Sequence, residues 1–278
     1  MRAQGTVYGN RWEQQMTNAA ALEVGPAGDY APPFAPGPES NPRCYLGIRA
    51  GGFSLGRVVF ELRADCAPVA AENFRALCAF GVYKGSILHR IFPDFVVQGG
   101  DYHRRCGVVC PPDAPEECFD LSLVPFQPGG RSIYGDRADG LFADAASGLR
   151  HARGTLSMSN PGRPDANGSQ WFVTIGADTA HLDGKYVVFG QVLAGFEIMA
   201  ALGRVGRKDG TTLQRVVCED CGELPRGWQP PQAAARAKGA GGRGRLRVAC
   251  AARPPPRSAL RQAPLRCAAG HARATVLL

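Results

Sequence analysis

Short apolar runs of strand length restrict the fold of this sequence more than any other feature. The run RVVFEL (57–62) alternates Val58, Phe60 and Leu62 with Val59 and Glu61. Similar runs follow at 95–98, 171–175, 186–192 and 215–218, and turns containing glycine separate them. Many short strands separated by such turns are typical of antiparallel sandwiches and barrels, so the pattern predicts a mainly β domain.

Two segments have helical periodicity instead. In residues 67–80, Pro68 suits the first turn of a helix, and Ala70, Phe74 and Leu77 recur at positions i, i+4 and i+7. Residues 194–206 place apolar side chains at helical spacing and end near two glycines. We expect these two helices to cover the ends of a barrel.

The charge of the chain is unevenly distributed. The sequence has 32 Lys and Arg against 24 Asp and Glu, but the last 54 residues contain ten Arg, one Lys and no acid. Residues 1–224 therefore carry 21 bases against 24 acids. This division excludes a uniformly basic nucleic-acid-binding globule, because the basic excess lies in one segment.

Composition also predicts the ends of the folded part. Residues 1–42 finish in a run rich in proline and glycine, which predicts a flexible leader. Ala, Arg, Pro and Gly make up 37 of the residues from 225 to 278, which predicts a disordered basic tail. The tail is open to two interpretations. It is a segment that contacts RNA or an acidic partner, or it reflects GC-rich composition or an extension of the gene model into non-coding sequence.

Membrane insertion and secretion are not expected. The sequence has no run of 18 apolar residues, and its first residues lack the unbroken apolar core of a secretory signal. We therefore expect a cytoplasmic monomer with reduced thiols, and a nuclear location stays open.

Eight ordered strings carry a resemblance to a known family. They are LGRVVFEL, AAENFRALC, YKGSILHRIFPDFVVQGGD, GGRSIYGD, GTLSMSN, NGSQWFVT, HLDGKYVVFGQV and EDCGEL. In this order they resemble the cyclophilin family of peptidyl-prolyl cis/trans isomerases. The resemblance implies a closed eight-stranded antiparallel β-barrel capped by two α-helices over residues 43–224, an enzyme without cofactor or metal, and proline-containing peptides and proteins as substrates.

The resemblance also implies the catalytic residues. Arg90 matches the catalytic arginine, whose guanidinium donates to the prolyl nitrogen. Gln98 matches the glutamine that orients this arginine, and Phe95 matches the floor of the proline pocket. The matched substrate-binding positions are His89, Phe92, Val96, Ser159, Asn160, Gln170, Phe172, His181, Leu182 and Tyr186, of which Ser159 and Asn160 match an edge strand that meets the substrate.

Several positions depart from the family pattern. Val96 stands where methionine is more common, and Tyr186 stands where histidine is usual. His181 replaces a tryptophan that matches the hydrogen-bonding contact to the macrocyclic inhibitor cyclosporin. We therefore expect weaker binding of cyclosporin, with catalysis of short peptides largely retained.

An insertion at residues 106–128 has no counterpart in the family pattern. With His103 it presents Cys106, Cys110 and Cys118 in one loop, and zinc binding, a redox-sensitive thiol pair and an inert or partner-contacting loop all stay open. The CxxC formed by Cys218 and Cys221 lies in a strand region, which favours a structural pair over a redox centre.

Two functions of different classes follow. The first is an isomerase that accelerates rotation about X–Pro bonds and assists protein folding. The alternative is a module that binds proline-containing segments in a larger complex, with the basic tail contacting RNA or an acidic partner.

Overall fold

One antiparallel sheet and two helices form the folded part of the chain. The computed structural model describes residues 21–26, 28–102, 130–134 and 140–230. In chain order the elements are β1 (Arg43–Ala50), β2 (Phe53–Leu62), α1 (Pro68–Ala79), β3 (Arg90–Phe92), β4 (Val96–Gly99), β5 (Thr155–Met158), β6 (Trp171–Thr174), a 3₁₀ helix (Ala180–Leu182), β7 (Val188–Ala194), α2 (Phe196–Gly203) and β8 (Val216–Glu223). The prediction of a mainly β fold with two helices is confirmed.

The eight strands follow the order β3-β4-β6-β5-β7-β2-β1-β8, and the pairs are antiparallel. The predicted closed barrel is wrong at one point, because β3 and β8 at the two edges do not pair as strands. Residues 85–88 bond to β8 at this gap. Ile87 and Val217 form an isolated bridge, and the Leu88 amide donates to the Val216 carbonyl (3.0 Å). The Gly85 amide donates to the Cys218 carbonyl (2.7 Å), and the Cys218 amide donates to the Ser86 carbonyl (2.9 Å). The chain thus contacts β8 before β3 begins, whereas β3 itself pairs with β4, so the sheet is a curled half-barrel.

Helix α1 supplies the centre of the core. Its Pro68 occupies the first turn, where the missing amide hydrogen costs nothing. Phe74 is fully buried, and its ring centroid lies 5.4–6.3 Å from four other aromatic rings, those of Phe60, Tyr83, Trp171 and Phe189. These distances are within the range of favourable aromatic pairs, so α1 is fixed on the sheet by its aromatic contacts.

Helix α2 is shorter than the predicted segment 194–206. Gly195 precedes it with φ of 81°, and a Cβ there would collide with the Arg57 carbonyl. Only glycine fits this left-handed position against β2. The helix buries Phe196, Met199 and Leu202.

The described part of the predicted leader contacts the sheet. The Tyr30 ring stacks on Phe196 with centroids 4.0 Å apart, and its hydroxyl donates to the Val192 carbonyl (2.7 Å). The Phe34 amide donates to Gln191 Oε1 (2.8 Å). Residues 1–20 and 27 lie outside the described residues, and there the flexible leader stays a prediction.

The leader contacts explain a buried carboxylate. Glu61 alternates along β2 with the core residues Phe60 and Leu62, yet it is 1% exposed. Its two oxygens accept from Gln191 Nε2 (2.7 Å) and from the Gly37 amide (3.1 Å). Residues of the leader therefore cover a face of β2 that strand periodicity assigns to solvent.

A β-bulge places both cysteines of the CxxC on one face of β8. The register to β1 shifts between Gly47 and Ile48, so one extra residue of β8 is accommodated. Cys218 and Cys221 are both buried, and the Cys218 thiol donates to the Asp220 carbonyl (3.2 Å). The pair is a free dithiol in the interior.

Other predicted segments lie outside the described residues. These are residues 103–129, which include His103 and the insertion 106–128, and residues 231–278 of the tail. Among the helices that are described, none has the length and apolar character needed to cross a bilayer.

Candidate active site

A second, smaller apolar cluster lies apart from the main core. It consists of Val96, Phe172 and Leu182, which are buried, with the half-buried rings of Phe92, Phe95 and Tyr186 packed against it. The residues come from β3, β4, β6, the 3₁₀ helix and the loop after it. Because three of the four aromatic members keep exposed surface, the cluster can offer an apolar wall to a ligand.

Strand alternation separates this cluster from the core. On β4, Val97 belongs to the main core and Val96 to the small cluster, and on β6 Val173 and Phe172 divide in the same way. Successive side chains of a strand point to opposite faces. The apolar runs at 95–98 and 171–175 therefore serve two surfaces, the interior of the half-barrel and the outer cleft.

Strand register brings the predicted catalytic pair together. Arg90 of β3 lies directly opposite Gln98 of β4, and Gln98 lies opposite Phe172 of β6. Directly opposite residues on antiparallel strands share one face of the sheet. The guanidinium, the amide and the apolar wall thus lie side by side in the cleft.

Arg90 is exposed at the edge of the apolar cluster. Its guanidinium carbon lies 5.2 Å from the centroid of the Phe92 ring, a favourable cation–π distance. No carboxylate among the described residues forms an ion pair with it. Within this part of the chain, its donors are thus not committed to an acid.

Hydrogen bonds fix the Gln98 amide. Its Nε2 donates to Ser159 Oγ (2.9 Å) and to Gln170 Oε1 (2.8 Å). Gln170 in turn donates from Nε2 to Asp101 Oδ2 (3.2 Å). Both amide hydrogens of Gln98 are used, so its Oε1 is left to accept a bond from a donor such as a guanidinium.

Aromatic contacts set the walls of the cleft. The Phe95 ring lies 5.3 Å from the exposed His181 ring at an interplanar angle of 26°. Phe92 and Phe95 meet edge to face at 6.2 Å, and Phe172 and Tyr186 do so at 5.4 Å. His181 and Tyr186, two of the departures from the family pattern, are therefore part of the wall.

Three of the matched positions lie beside this cleft on less regular backbone. His89 is half-buried immediately before β3. Ser159 and Asn160 lie past the end of β5, which is an interior strand between β6 and β7. The expectation of an edge strand at these two residues is wrong. The Ser159 amide still donates to the Gln170 carbonyl (2.9 Å), and Pro161, which has no amide hydrogen, then breaks the pairing.

A buried histidine, His151, lies behind the cleft, and no sequence pattern pointed to it. The His151 ring stacks on Phe172 with centroids 5.8 Å apart and an interplanar angle of 8°. Its Nδ1 lies 2.9 Å from Asp183 Oδ1, and burial lowers the pKa of the imidazole despite the nearby carboxylate. The two residues are 32 positions apart in the sequence, so no local pattern links them.

The geometry joins an apolar, partly aromatic cleft to an arginine and an oriented amide at its edge. A comparison with protein families gives the decisive observation: the family described as cyclophilin type peptidyl-prolyl cis-trans isomerase/CLD matches residues 45–223. The chain belongs to the cyclophilin family. This cyclophilin is accordingly a peptidyl-prolyl cis/trans isomerase that takes proline-containing peptides as substrates.

Proposed function

We propose that this cyclophilin isomerises X–Pro bonds in the cleft lined by Phe95, Phe172 and Leu182, with Arg90 as the catalytic donor. The single observation that carries the proposal is the register that aligns Arg90, Gln98 and Phe172 across three strands. Periodicity alone places these residues on separate strands, and the pairing joins them at one apolar cleft.

The reaction needs little chemistry from the protein. Rotation about the peptide bond has a barrier of ~18–20 kcal/mol, because the C–N bond has partial double-bond character. In the twisted state the amide resonance is lost and the lone pair localises on the prolyl nitrogen. A donor aimed at that nitrogen lowers the barrier by stabilising the twisted state more than the planar one.

Arg90 meets this requirement. A guanidinium keeps its charge at all physiological pH values and presents several N–H donors in a fixed plane. Gln98 Oε1 can hold one edge of that plane, since the Nε2 hydrogens are taken by Ser159 and Gln170. The opposite edge then faces the substrate.

The apolar cluster provides the binding energy for the prolyl ring. Val96, Phe172 and Leu182 form a buried base, and Phe95 and Tyr186 close its sides. Valine leaves more room at position 96 than the methionine common in the family. We propose that this cyclophilin accepts proline residues with slightly looser contacts along this wall.

We further propose a role in protein folding. Slow X–Pro isomerisation limits the folding of many chains, and an exposed cleft can reach such bonds in unfolded segments. The experiment is the refolding of a protein whose slow phase is limited by an X–Pro bond. Wild type should accelerate that phase, and the variant Arg90→Ala should not. No acceleration by wild type would contradict the folding role.

The absence of an ion pair between Arg90 and any carboxylate in the described part of the chain also bears on the alternative, a module that only binds proline-containing segments. Such a module needs the apolar cleft but no cation aimed into it. A guanidinium beside Gln98 that no described carboxylate engages therefore supports the enzymatic use of the site. Contacts of the basic tail with RNA or an acidic partner, a monomeric state and a cytoplasmic location stay predictions.

A further inference from the structure

His151 joins two parts of the protein behind the proline cleft. Its backbone amide and its ring Nδ1 both approach Asp183 Oδ1, at 2.8 and 2.9 Å. The buried Thr179 donates from Oγ1 to the His151 carbonyl (3.0 Å). His151 is therefore held at three points by the segment 179–183, which contains the 3₁₀ helix.

The same residue supports the wall of the cleft. The side chain of His151 is 1% exposed, and its ring lies parallel to the Phe172 ring. Phe172 is itself buried and belongs to the apolar cluster with Val96 and Leu182. One imidazole thus contacts the wall on β6 and the turn that carries Leu182 and His181.

We propose that His151 is a positioning residue of the proline pocket, which sets the distance between Phe172 and the turn at 180–183 through its ring stack and its bond to Asp183. This inference rests on the proposed function of the cleft. The two walls come from β6 and from a turn with little regular structure, and His151 with Asp183 ties them together from behind.

The protonation state of His151 follows from its partners. Asp183 accepts the Nδ1 hydrogen, so the second nitrogen, Nε2, is the unprotonated one in the neutral ring. Nε2 is buried and has no hydrogen-bond partner among the residues that the structure describes. A proton at Nε2 would add a buried charge without an acceptor, and His181 adds a nearby group that can become positive. Asp183 favours that proton, and Arg150 helps to lower the pKa of Asp183, which keeps this carboxylate ionised.

Protonation should therefore loosen the pocket. Burial lowers the pKa of His151, which keeps the ring neutral near neutral pH. A second charged N–H would weaken the stack on Phe172 and disturb the turn. We expect the KM for an Ala-Pro peptide to rise as the pH falls from about 8 to about 5, the range in which histidines change charge.

Three variants separate the two contacts of His151. His151→Asn keeps a donor near the Nδ1 position but removes the ring, and His151→Phe keeps a ring but removes the donor. His151→Ala removes both. Leu46→Ala, a buried change on β1 away from the cleft, controls for loss of stability alone.

The measurement is kcat and KM in a protease-coupled assay, at a temperature where thermal unfolding shows each variant folded. We expect His151→Ala to raise KM about tenfold with a smaller change in kcat, because a pocket wall binds the ground and transition states alike. His151→Asn and His151→Phe should each recover part of this loss, and the acid rise in KM should shrink in His151→Asn.

Kinetic constants of His151→Ala within about twofold of wild type, with stability lowered as in Leu46→Ala, would overturn the proposal. Wild type and Arg90→Ala are measured in parallel. Equal turnover by these two proteins would contradict the catalytic assignment instead, so the two failures are distinguishable.

Discussion

Arg90 and Gln98 lie directly opposite each other on β3 and β4, and the Gln98 amide is fixed by bonds to Ser159 and Gln170. The amide oxygen is thereby left to accept a bond. Under the proposed function, the orientation of Arg90 depends on Gln98 and on the two residues that fix its amide, which come from three separate parts of the chain.

Removal of the amide tests this dependence. Gln98→Leu keeps the approximate size of the side chain and removes its polar contacts, so Arg90 would lose the acceptor that the proposed function gives it. We expect kcat/KM for an Ala-Pro peptide to fall by about 10²-fold, since a misplaced catalytic group commonly costs this much. Unchanged kcat/KM in Gln98→Leu would show that Arg90 is positioned without Gln98.

Cyclosporin binding tests the exposed wall at His181. The ring stacks on Phe95, but it is smaller than the tryptophan usual at this position. His181→Trp should tighten inhibition by a cyclosporin-type macrocycle about tenfold, because one added hydrogen bond and more apolar contact contribute on the order of 1.4 kcal/mol. The inhibition constant is the measurement, and kcat/KM on a short peptide is its control. An inhibition constant that does not change would contradict this prediction.

The dependence of unfolding free energy on pH tests whether His151 is buried as a neutral imidazole. Its pKa is lowered in the folded protein, so between that value and the unfolded value of 6.5 the unfolded chain binds more protons. This contribution to stability is complete above 6.5 and is lost as the pH falls through the folded pKa. The pKa of Asp183 is also lowered, by bonds from His151, and its contribution is lost only below 3.8.

Denaturant unfolding at about pH 7 and about pH 5 measures the first of these effects, because histidines titrate in this range. Wild type should be less stable at the lower pH, and His151→Asn should lose less stability over the same interval. His181 is present in both proteins and cancels in the comparison. An equal loss in the two proteins would contradict a buried neutral His151.

Tyr30 tests whether the leader belongs to the folded unit. Tyr30→Phe removes the bond to the Val192 carbonyl and should cost about 1 kcal/mol of unfolding free energy. Tyr30→Ala also removes the stack on Phe196 and should cost about 1 kcal/mol more. Urea unfolding measures both. Identical midpoints for Tyr30→Ala and wild type would show that these contacts do not stabilise the domain.

The strands and helices were predictable where one face meets the core. Phe74 at helical spacing and the apolar runs on β6 and β7 mark their elements because burial imposes a period. The prediction of a closed barrel was wrong because β3 has only three residues. The chain bonds to β8 just before β3 and pairs with β4 within it. The burial of Glu61 was not predictable, because nothing in a strand pattern shows that the Gly37 amide contacts it.

The candidate site was predictable through the family strings, which carry Arg90, Gln98 and Phe172. The contacts that hold the site residues in place were not predictable from the sequence. The contact between His151 and Asp183 depends on how two loops meet behind β6. Neither loop has the regular spacing of apolar residues from which a sequence predicts structure. The same holds for Ser159, whose contact with Gln98 arises after β5 has ended.

The most direct measurement is the protease-coupled isomerisation of an Ala-Pro peptide by wild type, Arg90→Ala and Arg49→Ala. Arg49 lies on β1 and forms an ion pair with Glu219. Arg49→Ala is the control, because it removes the same positive charge as Arg90→Ala away from the cleft. Wild type and Arg49→Ala should accelerate isomerisation equally, and Arg90→Ala should lower kcat by about 10²–10³-fold, as expected for one donor to a developing charge. No acceleration by wild type, or equal acceleration by Arg90→Ala, would contradict the assignment of this cleft as the catalytic site.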